Sequence, residues 1–133
     1  MKEKIEIKQV SENEYHIGKN RTVFINKKVI HITVDGEVTT EMALLNNELD
    51  RKLLNMADGM ASYLIDLNKS GKNSQEASQM FKKLCYHPKV NKVAIYGLNP
   101  VARVIAAFII GLDIKQKQQF FKTEEQARFW LAE

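Results

Sequence analysis

The chain is poor in the residues that would place it in a specialised class. It has one cysteine, Cys85, two prolines and six glycines among 133 residues. A lone thiol excludes an internal disulfide and a cysteine-rich zinc site. So few prolines and glycines argue against a disordered or fibrous chain. Long apolar runs are missing as well. The longest, from Val104 to Ile110, falls far short of the roughly 20 residues of a membrane-spanning helix, so no membrane span is expected. Charge of one sign is not concentrated anywhere. The net charge of +4 comes from scattered lysines, and aromatics make up only 8% of the chain. A nucleic-acid-binding protein would more often cluster its basic residues and interleave aromatics, so no nucleic-acid partner is expected. The segment MKEKIEIKQV is charged and alternating, without the apolar core of a secretory signal. These absences predict a soluble, cytoplasmic protein.

What is present is ordinary globular composition, 44% hydrophobic and 27% charged, over a length that suits one domain spanning residues 1–133. Ile5 and Ile7 alternate with charged residues, the period-two pattern of a half-buried strand. Extended stretches are predicted at Tyr15–Ile17, Val23–Ile25 and Val29–Val34, with Asn26-Lys27-Lys28 as a turn and Asp35-Gly36 closing the block. A helix opens at Thr39 or Thr40. Met42, Leu45, Leu49, Leu53 and Met56 form its inner face, and Glu48, Asp50, Arg51 and Lys52 its charged surface. Ser62–Leu67 is nearly all apolar and reads as a central strand, followed by a loop at Asn68–Lys72. Asn73 or Ser74 caps the next helix, which turns Ala77, Met80, Phe81, Leu84 and Cys85 inward and ends at His87-Pro88. Val93–Tyr96 is a third strand leading to a helix from Pro100, capped by Asn99 and closed by Gly111. Phe120-Phe121 reads as an edge strand, and Thr123 with Gln126 as the capping box of a last helix.

Strands first and then alternating helices and strands predict an α/β fold. Its mixed sheet would have about four to six strands, antiparallel at the start and parallel at the core, with about four helices.

Three stretches carry a resemblance to a known family. They are Leu64-Ile65-Asp66-Leu67 as a central strand, Asn99-Pro100-Val101-Ala102-Arg103-Val104-Ile105 as a strand-to-helix junction, and Phe121–Leu131 with its acidic helix start, alanine and Trp130-Leu131 pair. They resemble the SpoIIAA-like group of STAS/SEC14-type domains of small bacterial proteins, from about Val29 to the C-terminus. The resemblance implies a non-enzymatic regulatory or protein-binding module without a cofactor. It also implies a phosphorylatable serine at the start of the helix after the central strand. Ser74 stands near that place, although the Asp and Gly that flank such a serine are absent here.

The chemistry offered by the remaining residues is sparse. Ser70-Gly71-Lys72-Asn73-Ser74 follows a strand and precedes a helix, but Asp66 stands where a phosphate-binding loop needs its first glycine, and Asn73 where it needs Ser or Thr. Ser70, Lys72 and Ser74 therefore stand as candidates for a contact or phosphorylation surface. A phosphate on Ser74 would meet free helix amides; the plainer role is an N-cap. His16, His31 and His87 are far apart, with no metal-ligand spacing, and His31 is expected to face outward on its strand. Cys85 is expected to be a buried, inert thiol. The helix from Pro100 is apolar almost all round, with Val101, Val104, Ile105, Phe108 and Ile109 prominent and Arg103 its one charge. Such a helix must be covered. The candidates are other parts of this chain, a second copy in a homodimer, a protein partner, or an apolar small molecule such as a lipid or acyl chain. Asn99 and Arg103 together could meet an anion at that helix start.

Overall fold

The computed structural model describes residues 4–97 and 117–133. The first strands follow from alternation and a tight turn. β1 (Ile7–Gln9), β2 (Glu14–Ile17) and β3 (Asn20–Ile25) form an antiparallel meander with β4 (Val29–Val38). The turn between β3 and β4 places Asn26 and Lys27 at φ 52° and 56°. That left-handed pair matches the right-handed twist of the flanking strands. From β4 onward the sheet is parallel. α1 (Thr40–Met56) links β4 to β5 (Ala61–Asn73), and α2 (Gln75–Cys85) links β5 to β6 (Val90–Tyr96). β7 (Gln118–Phe121) lies parallel on the far edge and leads into α3 (Glu124–Leu131). The seven strands lie side by side in sequence order.

This is the mixed α/β sheet that the strand and helix order predicts, with seven strands instead of four to six. Each of the seven coincides with an extended stretch named from the sequence, the short edge strands β1 and β7 included, so the figure of four to six undercounts those stretches. The described residues contain three helices; the helix expected at residues 100–111 lies outside them.

The sheet is buried on both faces. Ile30, Ile32, Val34, Tyr63, Ile65, Val93 and Ile95 pack with Leu49, Leu53 and Leu54 of α1 and Leu84 and Cys85 of α2. Leu64, Ala94 and Tyr96 point the other way, against Ala127 of α3 and the flanking Phe121, Trp130 and Leu131. Two-sided burial is why Ser62–Leu67 reads as a nearly continuous apolar run.

Two local expectations fail. Asp35-Gly36 does not close β4, and Asn68–Lys72 is not a loop. The two segments pair with each other, Asp35 beside Lys69, Gly36 beside Ser70 and Val38 beside Asn73, with shifts in register on both sides of Gly36. Polar composition suggested a loop, but the backbones satisfy one another as a two-stranded extension of the sheet. It depends on Gly71, where a Cβ would stand 3.0 Å from the carbonyl carbon of Gly36. The helix caps follow the sequence. Thr39, Ser74 and Thr123 accept the backbone N–H of Met42, Ala77 and Gln126.

Candidate functional site

A cavity of about 110 Å³ lies between the sheet and the two helices α1 and α2. Its walls are mostly apolar. Ile32, Val34 and Val38 come from β4, Ile65 and Leu67 from β5, Ile95 from β6, and Ala77, Met80, Phe81 and Leu84 from α2. Seven polar side chains break this lining, and four of them matter below: Asn20, Asn46, Asp50 and Gln118. Asn20, Asp50 and Gln118 are only 2%, 2% and 3% exposed.

Those four side chains leave buried atoms without hydrogen-bond partners. The atoms are Asn20 Nδ2, Asn46 Oδ1, Asp50 Oδ1 and both amide atoms of Gln118. An unmade buried hydrogen bond costs on the order of 1–3 kcal/mol, and natural folds seldom leave several in one place. The orientation of Asn20 is fixed because its Oδ1 accepts the backbone N–H of Asp35 at 2.9 Å, so Nδ2 is the atom left over. Asn46 and Asp50 are four residues apart on α1 and therefore neighbours on one helix face.

Asp50 is the main correction to the sequence reading. It was expected on the charged surface of α1 and is instead fully buried on the inner stripe, three residues before Leu53. Burial raises its carboxyl to about 7, with the Tyr63 hydroxyl pulling the other way. Tyr63 Oη is near enough for that influence yet makes no full hydrogen bond. Cys85 sits behind this group, its thiol pushed up to about 12 by burial, so it is neutral and unreactive as the sequence predicts. Helical periodicity alone could have flagged Asp50, since positions 42, 46, 49, 50 and 53 share one face. Asn20 and Gln118 gave no such signal, because each is the polar first residue of its strand.

Of the residues singled out from sequence, Ser70 lines the same cavity, as do its neighbours Gly71 and Asn73. Ser70 Oγ donates to Leu67 O at 2.9 Å. Lys72 is exposed at the tip of β5. Ser74 caps α2, and its Oγ also lies 2.8 Å from Thr40 Oγ1, which in turn reaches Glu76 at 3.5 Å. Helix starts α1 and α2 are thus joined through one hydroxyl pair. Asn99, Val101, Arg103, Val104, Ile105, Phe108 and Ile109 lie outside the described residues.

A second polar cluster occupies the opposite face of the sheet. His31 Nε2 and Tyr96 Oη are 2.9 Å apart, Tyr96 Oη donates to Glu124 Oε1 at 3.0 Å, and Arg128 holds the other Glu124 oxygen. The single phenolic hydrogen goes to Glu124, so the His31 ring donates to Tyr96. His31 does point away from the main core, but it is half-buried against Tyr96 and not free. Burial lowers its pKa, and Arg128 holds the Glu124 carboxyl below its usual range. Every member has a partner, and the chain ties α3 to the sheet. Among the described residues, no group of three or more His, Cys, Asp or Glu could hold a metal. No described helix is long and apolar enough to cross a membrane.

A sequential seven-stranded mixed sheet, two helices over a partly apolar cavity and one short helix behind define the class of small α/β domain with a STAS-like arrangement. A SpoIIAA-like family model matches residues 29–132, and the chain belongs to that family. The chain is similar to an uncharacterized protein from the DUF3478 family with a SpoIIAA-like fold, from Shewanella loihica PV-4, whose crystal structure is known. The identity is 21% and the TM-score 0.56, over 96% of this chain and 92% of that one. Comparison with curated proteins gives no match.

Proposed function

We propose that this chain is a non-enzymatic binding module of the regulatory kind, a single domain over residues 1–133, that receives a small, largely apolar molecule in the cavity beneath α1 and α2. The observation that carries this reading is the set of buried polar atoms without partners on side chains of a mostly apolar wall. A cavity with no occupant would be better lined by hydrocarbon throughout. Ligand sites combine the two features found here, apolar bulk and a few placed polar groups. The volume suits a group about the size of benzene, so a long acyl chain would have to project from it. Native mass spectrometry of protein purified from its own host is the test. A reproducible adduct of low mass supports the reading. A clean polypeptide mass, together with no response to added benzyl alcohol, contradicts it.

A second reading is regulation through protein contacts where Ser74 and Thr40 meet. A phosphate on Ser74 would break the 2.8 Å hydroxyl pair and approach Glu76, so it would loosen the joint between α1 and α2 above the cavity. Pulldowns with Ser74→Asp and wild-type protein test it, and identical partner profiles would count against it. The same module could act as a homodimer; light scattering on the eluting protein decides this.

A further inference from the structure

One end of the sheet gathers exposed apolar side chains among lysines. β4, β5 and β6 begin at the same level there, with Val29 beside Ser62 and Ala61 beside Val90. The three segments that lead into these strands are laced together. Asp58 N–H donates to Lys27 O, Ser62 N–H to Lys28 O, Ala61 N–H to Lys89 O, and Lys89 Nζ to Ala57 O. Three strands starting level make a flat face roughly 10 Å across. Met56 ends α1, Met60 precedes β5 and Tyr86 caps α2, and they are 45%, 49% and 48% exposed. Half of the large hydrophobic residues that stand exposed among the described residues therefore lie at this one end. Lys27 and Lys28 are exposed in the turn between β3 and β4. Among the described residues, neither they nor Lys89 enter an ion pair, and Asp58 is the one acidic residue of the three segments.

We propose that this end docks on an anionic phospholipid surface, with Met56, Met60 and Tyr86 entering the headgroup region and Lys27, Lys28 and Lys89 facing lipid phosphates. Such a contact is peripheral and needs no spanning helix. It does not depend on what the cavity holds.

Shape and charge both favour lipid over a protein helix. A partner helix lays anchors at helical spacing into a groove. Here the face is level, and the apolar tips belong to separate segments braced against one another. A bilayer surface is flat, takes up tyrosine and apolar tips at the headgroup level, and draws lysines to its anionic lipids. The backbone hydrogen bonds between the segments hold the tips in place, so docking orders little that is not already fixed.

Flotation of the whole chain with vesicles of phosphatidylcholine alone, and of phosphatidylcholine mixed with phosphatidylglycerol, is the test. At low salt, binding to the mixed vesicles is expected to exceed binding to phosphatidylcholine by about tenfold or more, and to fall as salt is added. Lys27→Glu combined with Lys28→Glu is expected to lower it by about tenfold or more. Met60→Ser combined with Tyr86→Ser also lowers it but leaves its salt dependence in place. The lipid and salt comparisons on wild-type protein need no variant and stand even where a variant fails to fold. Failure to float with the mixed vesicles overturns the proposal, and so does equal binding to the two kinds of vesicle. A folded lysine variant that binds as wild type does overturns it as well. Capture by an immobilised acidic amphipathic peptide without flotation on either vesicle overturns the lipid assignment in favour of a protein partner.

Discussion

Asn20 Oδ1 takes the backbone N–H of Asp35 at 2.9 Å, and that bond decides which end of the amide is left without a partner. It joins the start of β3 to the outer part of β4, beside the register shift that lets β4 run on to pair with the tip of β5. The idle Nδ2 is therefore a positioned donor. Asn20→Asp keeps the bond to Asp35 but puts a second carboxylate oxygen where the donor was. It is expected to cost about 1–3 kcal/mol at pH 7. Urea unfolding measures this, and an unchanged midpoint would mean that Nδ2 faces water.

Asp50 makes stability depend on pH in a defined direction. Its folded value is raised to about 7 from an unfolded value of 3.8. The folded state therefore holds its proton where the unfolded chain has lost it. Stability is fully present below about pH 4, falls as pH rises, and is lost once pH passes 7. The effect is on the order of 4 kcal/mol by that linkage. In Asp50→Asn this component vanishes, so thermal unfolding measured from pH 4 to pH 8 is expected to vary less than in wild type. Parallel profiles would show that Asp50 is not buried.

On the other face, Tyr96 stands between His31 and Glu124 and serves both. Tyr96→Phe removes the hydroxyl, leaves the half-buried His31 ring without its partner and cuts the link to Glu124, which keeps Arg128. A loss of about 1–3 kcal/mol is expected. Hydrogen exchange should quicken in α3 first, since that helix loses its side-chain link to the sheet through Glu124 and keeps the packing of Ala127, Trp130 and Leu131 and the Lys92 contacts, Lys92 lying 4.9 Å over the Trp130 ring. Equal protection in α3 would make this chain of bonds ornamental.

Ser74 is the cap of α2 and half of the hydroxyl pair with Thr40. Ser74→Ala is expected to cost about 1 kcal/mol as a lost cap, with somewhat more from the broken pair. Thr40→Val removes the pair and keeps the cap, so the two variants separate the effects in denaturant unfolding. Equal losses would mean that the pair, not the cap, dominates.

Much of the scaffold is legible in the sequence because its signals are local. Ile30, Ile32 and Val34 alternate, Ser62–Leu67 is apolar on both faces, and Thr39, Ser74 and Thr123 cap where short side chains precede helical periodicity. The site is much less legible. Asp50 looks like surface when counted as a charge and belongs to the core only when its helical phase is followed. Gln118 reaches the cavity because β7 pairs with β6 at Val93, a contact 25 residues away in sequence. The polar segment 68–72 reads as a loop because strand composition is mostly about half-burial, and this stretch is held by backbone pairing and by the space at Gly71.

The central claim is that the idle polar atoms of the cavity exist for an occupant. The side-chain NH₂ signals of Asn20 and Gln118 report on it directly. During a titration of wild-type protein with benzyl alcohol, the account predicts that both signals move and saturate together while amides at the edge strand β1 stay fixed. Signals of Asn20 and Gln118 that remain unmoved at saturating ligand would contradict it.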